Sequence, residues 1–232
     1  MTEALVTYLE SFLTERRRTK NHKVLAERTQ HFTVAIEDVY QLHNTSAVLR
    51  SCDVFGVQDV HVIEERNVRK MDREIAMGAQ KWVDLHRYNS TVDCIKTLKK
   101  QNYQIVATTP HGTNCTELKD FDISKKSAFF FGKEDSGLSD YVLENSDAKL
   151  YIPMFGFTES LNISVSAAII IQKLTQKLKS SAIEWRLTPE ELLKKRYDWV
   201  CKVLKSHEKI TERFYTAINS PLERASPKNS GG

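Results

Sequence analysis

The chain has 232 residues, of which 41% are hydrophobic and 28% are charged, and its formal net charge is +4 at pH 7. This length supports one main hydrophobic core with extensions, and the modest charge permits nucleic-acid binding without indicating it. No apolar run approaches the ~18 residues of a membrane-spanning helix, and none of the four cysteines forms a C-x-x-C pair. We therefore expect a cytoplasmic protein without a secretory signal or a structural metal site.

The first predicted helix covers residues 3–27, where apolar residues recur at helical spacing. Its second half contains a dense basic cluster, made of Arg16, Arg17, Arg18, Lys20 and Lys23. Such a run is most often a solvated helix face, and the alternative is an arm that contacts phosphate groups.

From residue 32 onward, short apolar runs alternate with amphipathic patterns. The predicted strands are residues 32–39, 57–64, 82–88, 103–109, 127–131 and 149–153. The predicted helices are residues 46–55, 91–101, 138–145 and 162–178. Strands that alternate with helices in this way indicate an α/β fold with a mainly parallel sheet.

A second basic helix is predicted at residues 189–218, after the start signal Thr188-Pro189. Residues 220–232 are rich in Ser, Pro, Gly and Asn and are predicted to be disordered. The predicted organisation is a basic N-terminal helical extension (1–31), a central domain (32–180), a C-terminal helical extension (181–219) and a tail (220–232).

The glycines argue against two common nucleotide-binding classes. No G-x-G occurs in the chain, so the fingerprint of dinucleotide-binding Rossmann folds is absent. Residues 132–137 have the G-x-x-x-x-G spacing of a P-loop, but Leu138-Ser139 follows in place of Lys-Ser/Thr. The lysine that contacts phosphates is therefore missing, which disfavours a P-loop NTPase.

Three segments combine polar residues with strand or helix patterns. The first is HNTSAVLRSCDVFG at residues 43–56, where Asn44 and Arg50 interrupt an apolar helical stretch. The second is FGKEDSGLS at residues 131–139, a loop between a buried strand and a helix. The third is IPMFGFTESLNISVSAA at residues 152–168, which runs from a strand into a helix rich in small residues.

In this order and spacing, the three segments resemble the three motifs of the SpoU/TrmH family of SPOUT methyltransferases, over about residues 33–178. The resemblance implies transfer of a methyl group from S-adenosylmethionine to a ribose 2′-hydroxyl of RNA. Residues 78–83 and the basic flanking helices favour the branch that methylates guanosine 18 in the D-loop of tRNA. The alternatives are a family member acting on rRNA or another tRNA position, and a non-catalytic RNA-binding protein of the same fold.

The same resemblance implies a deep C-terminal trefoil knot, an exception to the rule against threaded chains. It also implies a homodimer, in which the partner subunit completes each site, with a tRNA substrate and no expected role for DNA. S-adenosylmethionine would contact mainly backbone groups of three loops, and we expect Gly132, Gly137 and Gly156 to permit that close approach. The predicted cofactor-binding residues are Thr108, Thr109, Gly132, Glu134, Gly137, Ile152, Met154, Ser160 and Leu161.

The resemblance assigns catalysis to Arg50, Asn44, Glu134, Ser160 and Asn162. Because a guanidinium group stays protonated in proteins, we interpret Arg50 as an electrostatic stabiliser and phosphate clamp and not as a general base. Asn44 lies six residues before Arg50 and is expected to share its helix face and to orient the arginine or the ribose. The alternative for Asn44 and Asn162 is a helix N-cap role. Glu134 is expected to anchor a loop or the cofactor amine.

Phosphate contacts supply affinity and register in RNA binding, so the basic residues are the candidates for that role. The predicted RNA-binding set is Arg16, Arg17, Arg18, Lys20, Lys23, Arg50, Lys81 and Arg186.

We predict that the cluster at Arg16, Arg17 and Arg18 is needed for RNA binding and not for cofactor binding, because phosphate contacts supply affinity for RNA whereas the resemblance assigns the cofactor to other segments of the chain. Replacing all three residues by Gln should weaken RNA binding and leave the affinity for S-adenosylmethionine unchanged. Binding isotherms measured at physiological salt test this, and an unchanged RNA affinity would contradict it.

Overall fold

The computed structural model describes residues 1–39, 42–65, 78–110, 114–133 and 135–219. They form two compact units: Ala26–Thr188, and Met1–Leu25 together with the chain from Pro189 onward. Within these ranges no helix is both long and apolar enough to cross a membrane. The predicted disordered tail, residues 220–232, lies outside the described residues.

The larger unit is built on one sheet in which every pairing of strands is parallel. Its strands are β1 (Phe32–Glu37), β2 (Asp59–Ile63), β3 (Asp84–Tyr88), β4 (Gln104–Thr108), β5 (Thr116–Glu117), β6 (Ser127–Phe131) and β7 (Ala148–Tyr151). Their order across the sheet is β3-β2-β1-β6-β4-β7-β5. This confirms the predicted α/β fold with a mainly parallel sheet.

Helices flank the sheet in the larger unit and form the smaller unit. They are α1 (Glu3–Glu10), α2 (Glu15–Leu25), α3 (Leu42–Phe55), α4 (Thr91–Lys100), α5 (Asp140–Asn145), α6 (Ile163–Lys179), α7 (Pro189–Val203) and α8 (His207–Asn219). In the larger unit α3 packs against α6, while α4 packs on β4 and against α5. All residues of β1, β2 and β6 are buried, as expected of parallel strands covered on both faces.

The ends of the predicted strands differ from the observed ends by no more than two residues. β1 ends at Glu37 because Asp38 has a left-handed backbone conformation (φ 49°), which cannot continue a strand. The short strand β5 was not predicted, since two residues carry no usable alternation. Helix α3 begins four residues earlier than predicted.

Two long predicted helices are each divided in the structure, so both predictions of a single helix were wrong. The first stops at Glu10, and Thr14 starts α2 by accepting a hydrogen bond from the Arg17 amide at 3.3 Å. Ser and Thr compete for backbone hydrogen bonds in this way and therefore favour helix ends. The second is interrupted between Val203 and His207.

A buried ion pair joins α1 to α7 in the smaller unit. Arg196 Nε lies 3.0 Å from Glu10 Oε1 and Arg196 Nη2 lies 2.8 Å from Glu10 Oε2, and Arg196 also pairs with Glu3. The Glu10 side chain is only 7% exposed. Burial opposes its ionisation, but the Arg196 hydrogen bonds prevail and hold the Glu10 pKa below its ordinary value. Around this pair, Leu5, Leu9 and Val200 form the core of the smaller unit.

We predict that Arg196→Met lowers the free energy of unfolding by about 3 kcal/mol at pH 7, because it removes the guanidinium from the buried Glu10 charge and leaves His22 Nε2, 3.2 Å from Glu10 Oε1, as its contact. Lys202→Met on the same helix is the matched control. Lys202 pairs with Asp198 at 2.6 Å on the surface, and its loss should change the stability by less than about 0.5 kcal/mol. Urea unfolding measures both, and equal losses would contradict the prediction.

The pH dependence of this difference follows from the lowered Glu10 pKa. The stabilisation is present above the unfolded carboxyl pKa of ~4.3 and is lost as the pH falls through the lower pKa of the folded state. The difference in the free energy of unfolding between the wild type and Arg196→Met should therefore become smaller in urea unfolding curves measured below the unfolded carboxyl pKa of ~4.3.

Candidate functional site

A cavity of about 490 Å³ opens at the carboxyl ends of β4, β6 and β7. Three loops and the start of α6 line it: residues 108–110 after β4, the loop after β6, and the segment between β7 and α6. The lining mixes apolar side chains such as Leu150 and Ile170 with polar ones such as Thr109 and Ser166. This volume and this mixture are typical of sites for small organic ligands.

The residues predicted to bind a cofactor meet at this one cavity. Those that line it are Thr108, Thr109, Gly132, Gly137, Ile152, Met154, Ser160 and Leu161. The remaining member, Glu134, lies outside the described residues. The structure therefore places segments that are distant in sequence around one volume, and their contacts with a cofactor stay a prediction.

Sequence reasoning missed several lining residues, among them Lys133, Glu159 and Ser166. The first two lie inside the quoted motifs, next to residues that were named. Ser166 also lies inside the third motif, on α6, and no signal in the sequence distinguished it from the other small residues of that helix.

The loop after β6 is closed on itself by its backbone. The Lys133 amide donates to the Gly137 carbonyl at 2.9 Å, and the Gly137 amide donates to the Lys133 carbonyl at 3.1 Å. A Cβ atom on Gly132 would lie 2.2 Å from the Gly137 carbonyl carbon, and Gly137 has a φ of +70°. Both positions therefore require glycine for the loop conformation itself.

The loop's own backbone therefore already accounts for glycine at Gly132 and Gly137, while close approach of a ligand at the three glycines stays a prediction. At Gly132 the neighbour that excludes a side chain is the loop's own backbone. At Gly156 a Cβ atom would meet nothing closer than the Thr158 amide nitrogen at 4.0 Å. Among the residues that the structure describes, none excludes a side chain at Gly156, and close approach of a ligand there stays a prediction.

Asn44 and Asn162 are joined by a hydrogen bond, although 118 positions separate them in sequence. Asn162 Nδ2 donates to Asn44 Oδ1 at 3.2 Å, and Asn162 Oδ1 accepts from the Ser164 amide at 2.8 Å. Asn162 is thus the N-cap of α6, as the alternative interpretation held. Asn44 is not an N-cap, because it lies inside α3 and is buried.

Arg50 is exposed on α3 and does not line the cavity of its own chain. The expectation that Asn44 and Arg50 share a helix face was wrong, since Asn44 is buried and Arg50 faces solvent. Six residues of α-helix turn the chain by ~600°, which is ~120° short of two full turns. Ser160 is also exposed, but it lies on the segment between β7 and α6 and lines the cavity.

The predicted RNA-binding residues are all exposed. Those on α2 are Arg16, Arg17, Arg18, Lys20 and Lys23, and they belong to the smaller unit. Those of the larger unit are Arg50, Lys81 and Arg186. The Arg186 guanidinium lies over the Trp185 ring, 4.4 Å from its centre, which limits its freedom and leaves its outer face open to solvent.

Comparisons with known proteins show the family to which the chain belongs. The family described as "SpoU rRNA Methylase family" matches residues 31–172. A tRNA (guanosine(18)-2′-O)-methyltransferase of Borreliella burgdorferi is 37% identical over 202 residues, which are 86% of this chain and 91% of that protein.

Solved structures of proteins from the same family have a similar fold. The TrmH/SpoU tRNA modifying enzyme of A. aeolicus superposes with a TM-score of 0.72 at 28% identity, and the match covers 82% of this chain and 98% of that one. The SpoU methyltransferase AviRb from Streptomyces viridochromogenes, in complex with the cofactor AdoMet, superposes with a TM-score of 0.61 at 22% identity, over 68% of this chain and 65% of that one. With the family match covering more than half of its residues, the chain belongs to the SpoU rRNA methylase family.

Proposed function

We propose that this protein transfers the methyl group of S-adenosylmethionine to the ribose 2′-hydroxyl of guanosine 18 in the D-loop of tRNA. Membership of the family supports RNA methylation, and the relative in Borreliella burgdorferi, a tRNA (guanosine(18)-2′-O)-methyltransferase, supports guanosine 18 as the target nucleotide. The observation that carries the proposal is the cavity, because residues from the second and third motifs line it together.

The cavity suits S-adenosylmethionine in size and in the chemistry of its lining. Its volume of about 490 Å³ accepts a ligand of this size. Leu150, Ile152 and Ile170 provide apolar surface for an adenine ring, and Thr109 and Ser160 provide hydrogen-bonding groups for the polar parts. The AdoMet complex of AviRb supports this choice of cofactor through the shared fold.

When bound, S-adenosylmethionine supplies a methyl group that is already activated on a sulfonium centre. The protein must therefore align the ribose oxygen and stabilise the negative charge that develops on it. Arg50 is proposed for the second task, since its guanidinium stays positively charged and forms paired hydrogen bonds to phosphate. A phosphate oxygen of the RNA or a water molecule would then take the proton. Asn44 and Asn162 would hold the first motif against α6.

A homodimer is part of the proposal, because Arg50 does not line the cavity of its own chain. Val54, one helical turn after Arg50, is 68% exposed. Leu161, Val165 and Ile169 are also exposed, at helical spacing at the start of α6. Exposed apolar faces of this kind mark interaction sites. In a symmetric dimer, Arg50 of each protomer would complete the cavity of its partner.

Three further features of the family belong to the proposal. A deep trefoil knot is supported by the sheet order, in which β6 is inserted between β1 and β4, and β7 between β4 and β5. The exposed basic residues of α2 are proposed to contact tRNA phosphates. The proposed location is the cytoplasm.

The substrate is tested by methyl transfer from labelled S-adenosylmethionine to three RNAs: an unmodified tRNA transcript, the same tRNA with 2′-deoxyguanosine at position 18, and an rRNA fragment. We expect label only in the first, because the second lacks the accepting hydroxyl. Label on rRNA alone would keep the chemistry and overturn the tRNA assignment. No label on any RNA, with RNA still bound, would favour the non-catalytic alternative.

The shared site is tested by mixing two inactive variants, Arg50→Ala and the cavity-filling Met154→Trp. In a mixed dimer the intact cavity of one subunit meets Arg50 of the other, so we expect random mixing to restore about a quarter of the wild-type turnover. No recovery, with mixed dimers demonstrated by differential tags, would place Arg50 and the cavity in the same chain. Arg50→Lys should stay largely inactive, since lysine lacks the bidentate geometry.

A further inference from the structure

We propose that Glu37 is a positioning residue for cofactor binding: its buried carboxylate holds Ser139 and thereby keeps the cavity loop, residues 132–133 and 135–138, in its binding conformation. This inference rests on the proposed function, in which the cavity takes S-adenosylmethionine. Glu37 itself does not line the cavity. Its effect on the cofactor must therefore pass through the loop.

Glu37 is the last residue of β1 and is 4% exposed. The preceding residue, Ile36, is level with Phe131 in the parallel pairing of β1 with β6. Gly132, the first residue of the cavity loop, follows Phe131 directly. The Glu37 carboxylate therefore lies at the same edge of the sheet from which the loop departs.

The carboxylate contacts Ser139 at two points. Glu37 Oε2 accepts a hydrogen bond from the Ser139 amide at 2.9 Å, and Glu37 Oε1 accepts one from the Ser139 hydroxyl at 2.7 Å. The same hydroxyl accepts from the Val142 amide at 3.4 Å as the N-cap of α5. Two hydrogen bonds from one residue to a carboxylate fix both its backbone and its side chain.

The cavity loop is therefore held at both ends. At its start Gly132 continues from β6, and at its end Ser139 is tied to Glu37. Between them the reciprocal hydrogen bonds of Lys133 and Gly137 close the loop, and Leu138 both lines the cavity and packs into the core. Because a loop held in this way is already ordered, ligand binding loses less conformational entropy, and the affinity for the ligand is higher.

A third hydrogen bond supplies a matched control. Thr91 Oγ1 donates to Glu37 Oε1 at 2.7 Å, and Thr91 is the first residue of α4, which does not line the cavity. Thr91→Val removes a hydrogen bond to the same carboxylate oxygen without touching the loop. Ser139→Ala removes the hydroxyl contact on the loop side, together with the N-cap hydrogen bond from the Val142 amide. Glu37→Gln keeps the shape and replaces one acceptor oxygen by an amide nitrogen, which cannot accept.

The test measures, in the full-length protein, the Kd for S-adenosylmethionine by calorimetry together with kcat and KM for methyl transfer to tRNA. Glu37→Gln and Ser139→Ala should each raise Kd and KM for S-adenosylmethionine roughly tenfold, the effect of losing one charge-assisted hydrogen bond. We expect kcat at saturating cofactor to stay within about twofold of the wild type, and the double variant to lose much less than the product of the two single effects. Thr91→Val should keep the KM within about twofold.

The outcomes distinguish a positioning role of Glu37 from a general loss of stability around its carboxylate. An unchanged Kd in both Glu37→Gln and Ser139→Ala overturns the proposal, and so does an equal loss of affinity in Thr91→Val. If Glu37→Gln does not fold, Ser139→Ala compared with Thr91→Val decides alone. A wild-type protein that fails to bind S-adenosylmethionine would instead overturn the proposed function. The wild type therefore tests the function, and the ratios among variants test the positioning role.

Discussion

The parallel pairing of β1, β6, β4 and β7 is the constraint on which the rest of the structure depends. Because all of these strands run in one direction, their carboxyl ends reach the same edge of the sheet, and the loops that follow them converge there. The pairing of Thr108 with Leu150 brings the loop after β4 beside the chain that leaves β7. Ligand sites of parallel α/β proteins lie at this edge for the same reason.

Convergence alone does not make a binding site, because each loop must also keep one conformation. Here the protein uses polar contacts between segments that are remote in sequence. Asn162 caps α6 and bonds to Asn44 on α3, and Glu37 at the end of β1 bonds to Ser139 at the start of α5. Polar contacts of this kind stabilise a single arrangement only when each donor and acceptor has its partner. They tie the helices around the cavity to the sheet and to each other.

The two compact units divide the proposed activity. The larger unit contains the cavity and the three motifs, so it carries the proposed chemistry. The smaller unit contains the exposed basic residues of α2 around a core stabilised by the Arg196–Glu10 pair. Arg196 belongs to the basic C-terminal helix, yet its charge is neutralised inside the unit. A count of basic residues therefore overstates the surface that is open to RNA phosphates.

The sequence by itself determined the α/β class, most strand positions and eight of the residues that line the cavity. These features were predictable because the alternation of apolar residues is a local signal, and because each of the three motifs is a continuous segment of the sequence. Only the tertiary structure decided that Asn44 is buried while Arg50 is exposed, and that Glu37 meets Ser139 across 102 positions. These relations depend on strand order and helix packing. Residues that are distant in sequence meet only because the sheet brings their strands together. A local sequence pattern does not indicate which strands become neighbours.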